Sequence, residues 1–288
     1  MAVAAGILFA LITLLSWGTA DFFAKKAVDK VGYATSLIIN QIIALGPIFA
    51  SSLLFSKFPA LTLDLVLIVA VTGFLGFLGY FYFYKGLAKG KVSIVSPIAG
   101  SWFVITVLVA SFIYVEKLLP LQIAGVAVIF AGIFLASTNL TQFKNLIGKV
   151  KISGVLEAFI SMIAWGFTFA LTKQIVVLAG PIVALLMVRI VAFLSMFSWI
   201  NVSKARIQVP PKLIFAFLTA AALLDVFGYA LYNVSVETEL ISIVSPIAAS
   251  YPVVTILLAY LFLKERLTRN QQVGIAFILI GLVLISLF

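Results

Sequence analysis

Long apolar runs alternate with short polar segments along the whole chain. A transmembrane helix needs about 20 mostly apolar residues to cross about 30 Å of hydrocarbon at 1.5 Å per residue. By that rule we predict ten spans, numbered here in chain order, at roughly 3–23, 33–55, 63–84, 92–115, 119–137, 154–177, 181–200, 212–234, 240–263 and 269–288. The pattern therefore predicts an all-α membrane protein with ten transmembrane helices.

The two halves of the chain share a sequence repeat. The segment from Ser93 to Ala99 reappears from Ser242 to Ala248 at an offset of 149. Near the start of each half, Trp17 with Gly18 matches Trp165 with Gly166 at an offset of 148. The offset of 149 also relates Thr106 to Thr255, Glu116 to Glu265, Gln122 to Gln271, Gly125 to Gly274 and Gly132 to Gly281. We predict a first five-helix repeat over 1–138, a polar linker over 139–152 and a second repeat over 153–288.

An odd number of spans in each repeat predicts that the second repeat is inverted in the membrane. The basic residues support this prediction, because the loops after the odd-numbered spans hold fifteen of them and the other loops hold three. The fifteen are Lys25, Lys26, Lys30, Lys85, Lys89, Lys91, Lys144, Lys149, Lys151, Lys204, Arg206, Lys212, Lys264, Arg266 and Arg269. The positive-inside rule places the side that holds these fifteen basic residues in the cytoplasm, and therefore both termini outside.

The composition limits the chemistry that the protein can perform. Hydrophobic residues make up 64% of the chain and charged residues 10%, whereas a soluble domain is about half apolar and about a quarter charged. The loop lysines and arginines account for the net charge of +10, so we expect a lipid bilayer and no nucleic acid as partner. With no cysteine and no histidine, we expect neither a metal site nor a cofactor. The sequence contains no P-loop pattern, so we do not expect the chain to hydrolyse ATP.

Two charges lie deep inside predicted spans. Arg189 and Asp225 fall at similar depth, about 12–14 Å from one side by the helical rise. Either they form a structural pair between two helices, or they face a cavity, where the arginine binds a substrate anion and the aspartate orients it or takes up a proton. The residue at the repeat-related position of Arg189 is Asn40 or Gln41, depending on whether the offset is 149 or 148. By contrast, we interpret Asp21 as an interfacial partner of Lys25, four residues away.

Polar and aromatic side chains line one face of several predicted spans. Such a stripe on a membrane helix faces protein or water rather than lipid. It supplies cavity-lining candidates, although interhelical hydrogen bonding explains it almost as well. Together with Arg189, Asp225, Asn40 and Gln41, the candidate substrate-binding residues are Trp17, Trp165, Trp102, Tyr80, Tyr229, Asn233 and Tyr251.

Proline occurs at repeat-related positions inside two predicted spans. Ser96 with Pro97 and Ser245 with Pro246 are candidate hinges, because proline removes a backbone hydrogen bond and kinks a helix. The alternative is that these residues mark irregular first turns of the helices. Their symmetric placement favours a mechanical role in alternating access.

These motifs resemble a known family. In each half, Trp-Gly lies in the first span, and Ser-Pro is followed by an acidic-basic pair, a glutamine and two glycines. This arrangement resembles the EamA-like branch of the drug/metabolite transporter superfamily over nearly the whole chain. The resemblance implies a ten-helix inverted-repeat transporter with a cavity lined by spans 1, 3, 4, 6, 8 and 9. It also implies cytoplasmic termini, opposite to the charge distribution.

The function expected from the sequence is secondary transport or facilitation, not catalysis. We expect a multi-pass protein of the plasma membrane that exports small organic metabolites, such as amino acids, by alternating access. Proton coupling and the oligomeric state are left open. The alternatives are transport of phosphorylated or nucleotide-sugar metabolites, a membrane sensor or assembly subunit, and a membrane-embedded enzyme using carboxylate chemistry.

Overall fold

A computed structural model describes residues 2–137, 153–264 and 266–286. The described residues form helices and loops without a β-strand. The helices are α1 (Ala2–Phe55), α2 (Leu63–Lys89), α3 (Val92–Gly100), α4 (Trp102–Ile113), α5 (Pro120–Ser137), α6 (Val155–Ala179), α7 (Pro181–Ser203), α8 (Lys212–Thr238), α9 (Ile241–Ala249), α10 (Pro252–Leu263) and α11 (Arg269–Ser286).

Eight helical segments of the described chain are long and apolar enough to cross a membrane. Five are α2, α6, α7, α8 and α11, and one is most of α1. The other two are the ranges Val92–Ile113 and Ile241–Phe262, and a further apolar segment, Pro120–Ala136, is shorter. Large apolar side chains such as Phe55, Phe112 and Val202 are more than 80% exposed. Such a surface is stable only against lipid.

Helix α1 contains a sharp bend. Its 54 residues correspond to about 80 Å of helix, far more than one crossing of the hydrocarbon. At Gly32 the backbone adopts φ +77° and ψ 167°, a conformation that residues with a Cβ atom rarely adopt. The helix thus continues past residue 23, where the sequence predicts the first span to end. Lys25 stabilises this extension, because its Nζ contacts Asp29 Oδ1 at 2.7 Å and the carbonyl of Leu87 at 2.8 Å.

Two of the predicted spans are each broken into two helices. The spans predicted at 92–115 and 240–263 correspond to the apolar segments Val92–Ile113 and Ile241–Phe262, and a break inside each fits the kink expected near its proline. The first breaks at Ser101 between α3 and α4, and the second at Ser250 and Tyr251 between α9 and α10. The serine hydroxyls donate to the carbonyls of Pro97 and Pro246, at 3.1 and 2.8 Å. Each break therefore lies one turn after the proline, and the serine hydroxyl at the break donates to the carbonyl of that proline.

Equivalent helices of the two halves make reciprocal contacts. Thr106 Oγ1 of α4 donates to the carbonyl of Gly166 in α6 at 2.8 Å. Its repeat equivalent, Thr255 of α10, donates to the carbonyl of Gly18 in α1 at 3.0 Å. Each half thus binds the first helix of the other half through the same residue types. This exchange of contacts is typical of two units related by a two-fold axis.

Candidate functional site

A cavity lies between the two halves, at the centre of the reciprocal contacts. It holds about 450 Å³ of empty space, part of it open to solvent. The cavity is lined by Trp17, Ala20, Asp21, Ala24, Asn40, Tyr80, Phe83, Tyr84, Trp102, Trp165, Phe169, Ala221, Asp225 and Tyr251. Seven of the eleven sequence-predicted substrate-binding residues are among them.

Repeat-related glycines make room for two of the tryptophans that line the cavity. A Cβ atom on Gly228 would lie 2.8 Å from the indole of Trp17, and one on Gly79 would overlap the indole of Trp165. The missing side chains therefore leave the space in which the rings lie. Trp17 is held further by its Nε1, which donates to the carbonyl of Asp225 at 3.1 Å.

Arg189 and Asp225 form an ion pair between two helices, which is the first of the two alternatives that their positions in the sequence allow. Arg189 Nη2 donates to Asp225 Oδ2 at 2.5 Å and to the Tyr80 hydroxyl at 2.6 Å. The Tyr80 hydroxyl in turn donates to Asp225 Oδ1 at 2.8 Å, and Arg189 Nη1 lies 3.5 Å from Gln41 Oε1. The guanidinium also stacks 4.5 Å from the ring centre of Tyr80. Asp225 and Tyr80 line the cavity, whereas Arg189 is 1% exposed and lies behind them.

Asp21 contacts the cavity rather than Lys25. Its Oδ2 accepts a hydrogen bond of 2.6 Å from Ser96, next to Pro97. Lys25 instead contacts Asp29 and two backbone carbonyls. The interfacial pair predicted from the four-residue spacing is therefore corrected. The polar stripe of Thr13, Trp17 and Asp21 in the sequence is the signal that could have placed Asp21 in the site.

Four polar atoms of cavity-lining residues have no hydrogen-bond partner among the described residues. They are Asn40 Oδ1, Trp102 Nε1, Trp165 Nε1 and the Tyr251 hydroxyl. An unpartnered buried donor or acceptor costs about 1–3 kcal/mol, so such atoms in a protein usually have a reason to be present. All four atoms are buried within the cavity wall in this conformation.

The remaining predicted residues lie around the cavity without lining it. The Tyr229 hydroxyl is 3.3 Å from Thr172 Oγ1, and Asn233 Nδ2 donates to the carbonyl of Pro181 at 2.9 Å. Gln41 faces Arg189. Four lining aromatic or acidic residues were absent from the predicted substrate-binding set: Asp21, Phe83, Tyr84 and Phe169. The three aromatic ones carry no distinguishing signal in a sequence with 26 phenylalanines.

The candidate hinge residues connect the breaks in the helices to the site. Ser96, Pro97, Ser245 and Pro246 are all buried. Ser96 donates to Asp21, while Ser245 Oγ lies 2.8 Å from the hydroxyl of Tyr232. A change of angle at the first break would therefore move a side chain that contacts Asp21 in the cavity wall.

Comparison with known proteins gives the family. The sequence model of the EamA-like transporter family matches residues 4–138 and again residues 152–287. The chain belongs to the EamA-like transporter family. It is therefore a multi-pass membrane protein that transports small solutes, and the family consists of transporters rather than enzymes. The resemblance inferred from the repeated Ser-Pro and Trp-Gly motifs is confirmed.

Individual relatives add the fold but no substrate. An uncharacterized protein of Methanocaldococcus jannaschii is 38% identical over 74 residues, 26% of this chain and 54% of that protein. The chain thus spans about half the length of that relative. A solved structure described only as a crystal structure of protein has a TM-score of 0.74 at 17% identity, with 99% of this chain and 97% of that chain covered. At this identity the likeness shows the fold alone.

Away from the cavity, an ion-pair cluster joins the two halves of this family member. Glu116, in the loop between α4 and α5, accepts hydrogen bonds from the backbone N–H groups of Ile241 and Ser242 at 3.1 and 2.9 Å. It also pairs with Lys173 of α6 at 2.6 Å. Burial by itself raises the pKa of Glu116, but the hydrogen bonds from Lys173 and Ser242 outweigh it and hold that pKa below its usual value of 4.5. The carboxylate thus caps α9 at its N-terminus.

Replacing this carboxylate should weaken the junction in a pH-dependent way. We expect Glu116→Gln to lower the free energy of unfolding by about 1.5–3 kcal/mol at neutral pH, the usual contribution of hydrogen bonds to a charged group. A pKa lowered by folding contributes stability above the unfolded value of 4.5 and loses it as the pH falls through the folded value. The difference from the unchanged protein, measured by thermal melting in detergent, should therefore shrink below pH 4.5.

The exposed carboxylate of Glu237 provides a matched control for this substitution. Glu237→Gln makes the same charge change near the C-terminus of α8, just before α9 begins, and should leave the melting temperature unchanged. Equal melting temperatures for Glu116→Gln and the unchanged protein at neutral pH would contradict the assigned role of Glu116.

Proposed function

We propose that this transporter is a secondary carrier that exports small organic metabolites, amino acids or related solutes, by alternating access across the plasma membrane. The observation that carries the proposal is the cavity between the two halves, with aromatic walls and four unpartnered polar atoms among the lining residues that the structure describes. A solute with an apolar body and polar ends would satisfy both kinds of wall. Rocking of one half against the other around this site would expose it to each side in turn.

The membrane arrangement that we propose has ten crossings in two inverted repeats. Counting α1 as two crossings joined at Gly32, and α5 as a further one, gives ten. Five crossings in each half would place the halves in opposite orientations, and the reciprocal contacts of Thr106 and Thr255 support a two-fold relation. The distribution of lysine and arginine in the loops supports a cytoplasmic location for the basic side.

The direction that we propose is export. The cavity lining includes Ala24 and Tyr84, which directly precede Lys25 and Lys85 on the basic side. On the other side, the Glu116 carboxylate joins the halves. A cavity that is reached from the basic side would be loaded with solute from the cytoplasm.

The alternative of a phosphorylated or nucleotide-sugar substrate has less support. Anionic groups of that kind are held by arginine or lysine in protein sites. No lysine or arginine is among the residues that line the cavity in the described chain, and Arg189 is already bound to Asp225 behind the wall. We therefore favour solutes without a phosphate group.

The test is flux through proteoliposomes that contain the purified chain. Vesicles would be loaded with labelled amino acids, amines, sugars, nucleotides or phosphorylated metabolites, and the release of each label would be measured. We expect amino acids and amines to be released. Filling the cavity with Ala221→Leu should reduce that release at least tenfold, because the added side chain takes up space that the solute needs. Ala70→Leu makes the same change on an exposed surface of α2 and should leave release unchanged.

Two results would contradict the proposal. If no solute class is released faster than from equally loaded vesicles without the protein, the transport function proposed for this cavity is contradicted. Equal release through Ala221→Leu and the unchanged protein, with both equally stable, would mean that the solute takes another path.

A further inference from the structure

We infer that Asp21 is the counter-ion of a positively charged ammonium group on the transported solute. This inference rests on the proposed transport function and specifies the substrate class of the same site. The solute would be a small organic cation whose apolar or aromatic body lies against the tryptophans of the cavity.

Asp21 lacks a cationic partner among the described residues. It accepts one hydrogen bond in the described part of the chain, from the neutral hydroxyl of Ser96. The nearest lysine in sequence, Lys25, is committed to Asp29 and to the carbonyls of Leu87 and Gly90. Asp21 is only 9% exposed, so little water is available to solvate its carboxylate. A buried carboxylate in this situation favours a cation as neighbour.

The charges around the cavity do not balance. Among the residues that the structure describes, its lining contains two carboxylates, Asp21 and Asp225, and no basic residue. Asp225 is neutralised by Arg189, which reaches it from outside the cavity. The Asp21 carboxyl group therefore lacks a charged partner in the cavity wall, and a monovalent cation would compensate its charge when it is ionised.

The aromatic residues of the cavity suit the same kind of solute. Trp17 lies with its ring centre 5.4 Å from that of Phe169, 6.1 Å from that of Tyr251 and 6.2 Å from that of Trp102. All four rings line the cavity, and Trp17 is one helical turn from Asp21. Aromatic faces attract cations within about 6 Å and also pack well against apolar bodies. The carboxylate and the rings thus favour one ligand chemistry.

A neutral polar side chain of the cavity lining suits the same kind of solute. The amide oxygen of Asn40 has no partner among the described residues, and amide oxygens accept hydrogen bonds from ammonium groups. A neutral or anionic solute of the same shape would leave Asp21 without a counter-charge.

The test compares three probes that differ in charge but share one aromatic body. Phenethylamine is cationic, 2-phenylethanol is neutral and phenylacetate is anionic at neutral pH. Binding to the purified full chain in detergent would be measured by tryptophan fluorescence, since three of the four tryptophans line the cavity. We expect phenethylamine to bind most tightly, and Asp21→Asn to weaken it at least tenfold while binding of 2-phenylethanol stays within twofold.

Two further variants show whether charge at this position is responsible. Asp21→Glu keeps the charge and should retain the preference for the amine. Asp29→Asn removes a carboxylate from the same helix but from the exposed side, and should leave the preference unchanged. The inference would be overturned if the Asp21→Asn variant bound phenethylamine as tightly as the unchanged protein does. It would also be overturned if the unchanged protein bound phenylacetate most tightly of the three probes.

Flux measurements separate this inference from the proposed function. Release of neutral or anionic solutes that is unaffected by Asp21→Asn, with no release of phenethylamine, would overturn the assignment of Asp21 and leave the transport function standing. Release of no solute at all, together with no binding of the three probes, would overturn both.

Discussion

Replacing Arg189 with glutamine should prevent most of the protein from folding. Arg189 is buried beside Asp225, and removing one partner of a buried ion pair costs about 3–5 kcal/mol because the other charge is left uncompensated. Gln41 and Tyr80 cannot supply the missing positive charge. That loss is a large part of the 5–15 kcal/mol that stabilises a typical domain. Fluorescence-detected size-exclusion chromatography and thermal melting would measure the loss of folded protein.

The double variant separates a structural role from a substrate-binding role. Adding Asp225→Asn to Arg189→Gln removes the remaining charge and should restore most of the folded protein. Arg206→Gln removes an exposed arginine and should have no effect. If Arg189→Gln instead folded normally and abolished flux, Arg189 would be the anchor of a substrate anion, the other alternative that its position in the sequence permits.

The second large effect should come from the crossing of α5 and α11. Four repeat-related glycines, Gly125, Gly132, Gly274 and Gly281, meet there, as is usual where membrane helices approach closely. A Cβ atom on Gly274 would lie 2.5 Å from the backbone nitrogen of Ala136 and 2.6 Å from the carbonyl of Gly132. Backbone atoms cannot rotate aside, so Gly274→Ala should force the helices apart and cost about 1–3 kcal/mol.

Gly46→Ala is the matched control for this substitution. A Cβ atom on Gly46 meets nothing within 4 Å, and alanine is favoured over glycine in a helix by about 1 kcal/mol. We therefore expect the melting temperature to fall for Gly274→Ala and to stay the same or rise for Gly46→Ala. Equal shifts in the same direction would show that α5 and α11 do not rely on this close contact.

Depth in the membrane could be predicted from the sequence because the helical rise is constant. Counting residues from the ends of two predicted spans placed Arg189 and Asp225 at one level, and the structure brings them to 2.5 Å. The same counting cannot say which way a side chain points around the helix axis. It therefore left open that Arg189 lies behind the cavity wall, whereas Asp225 lies in it.

Asp21 shows the limit of arguments from sequence spacing. Four residues separate it from Lys25, and such pairs commonly interact on a helix. In the folded chain, Lys25 reaches Asp29 and the end of α2, while Asp21 reaches Ser96, 75 residues away. Contacts between distant helices decided this competition. No pattern along one helix contains them.

The sequence alone determined the helical class, the internal repeat and the family, because apolar runs of membrane-spanning length and a repeated motif are properties of the chain itself. Only the tertiary structure decided where α3 and α9 end, which aromatic rings surround the cavity, and that Asp21 faces it. The physical reason is that lipid and protein interior are both apolar. The hydrophobic pattern of a membrane helix therefore marks its length far better than the face that it turns toward its neighbours.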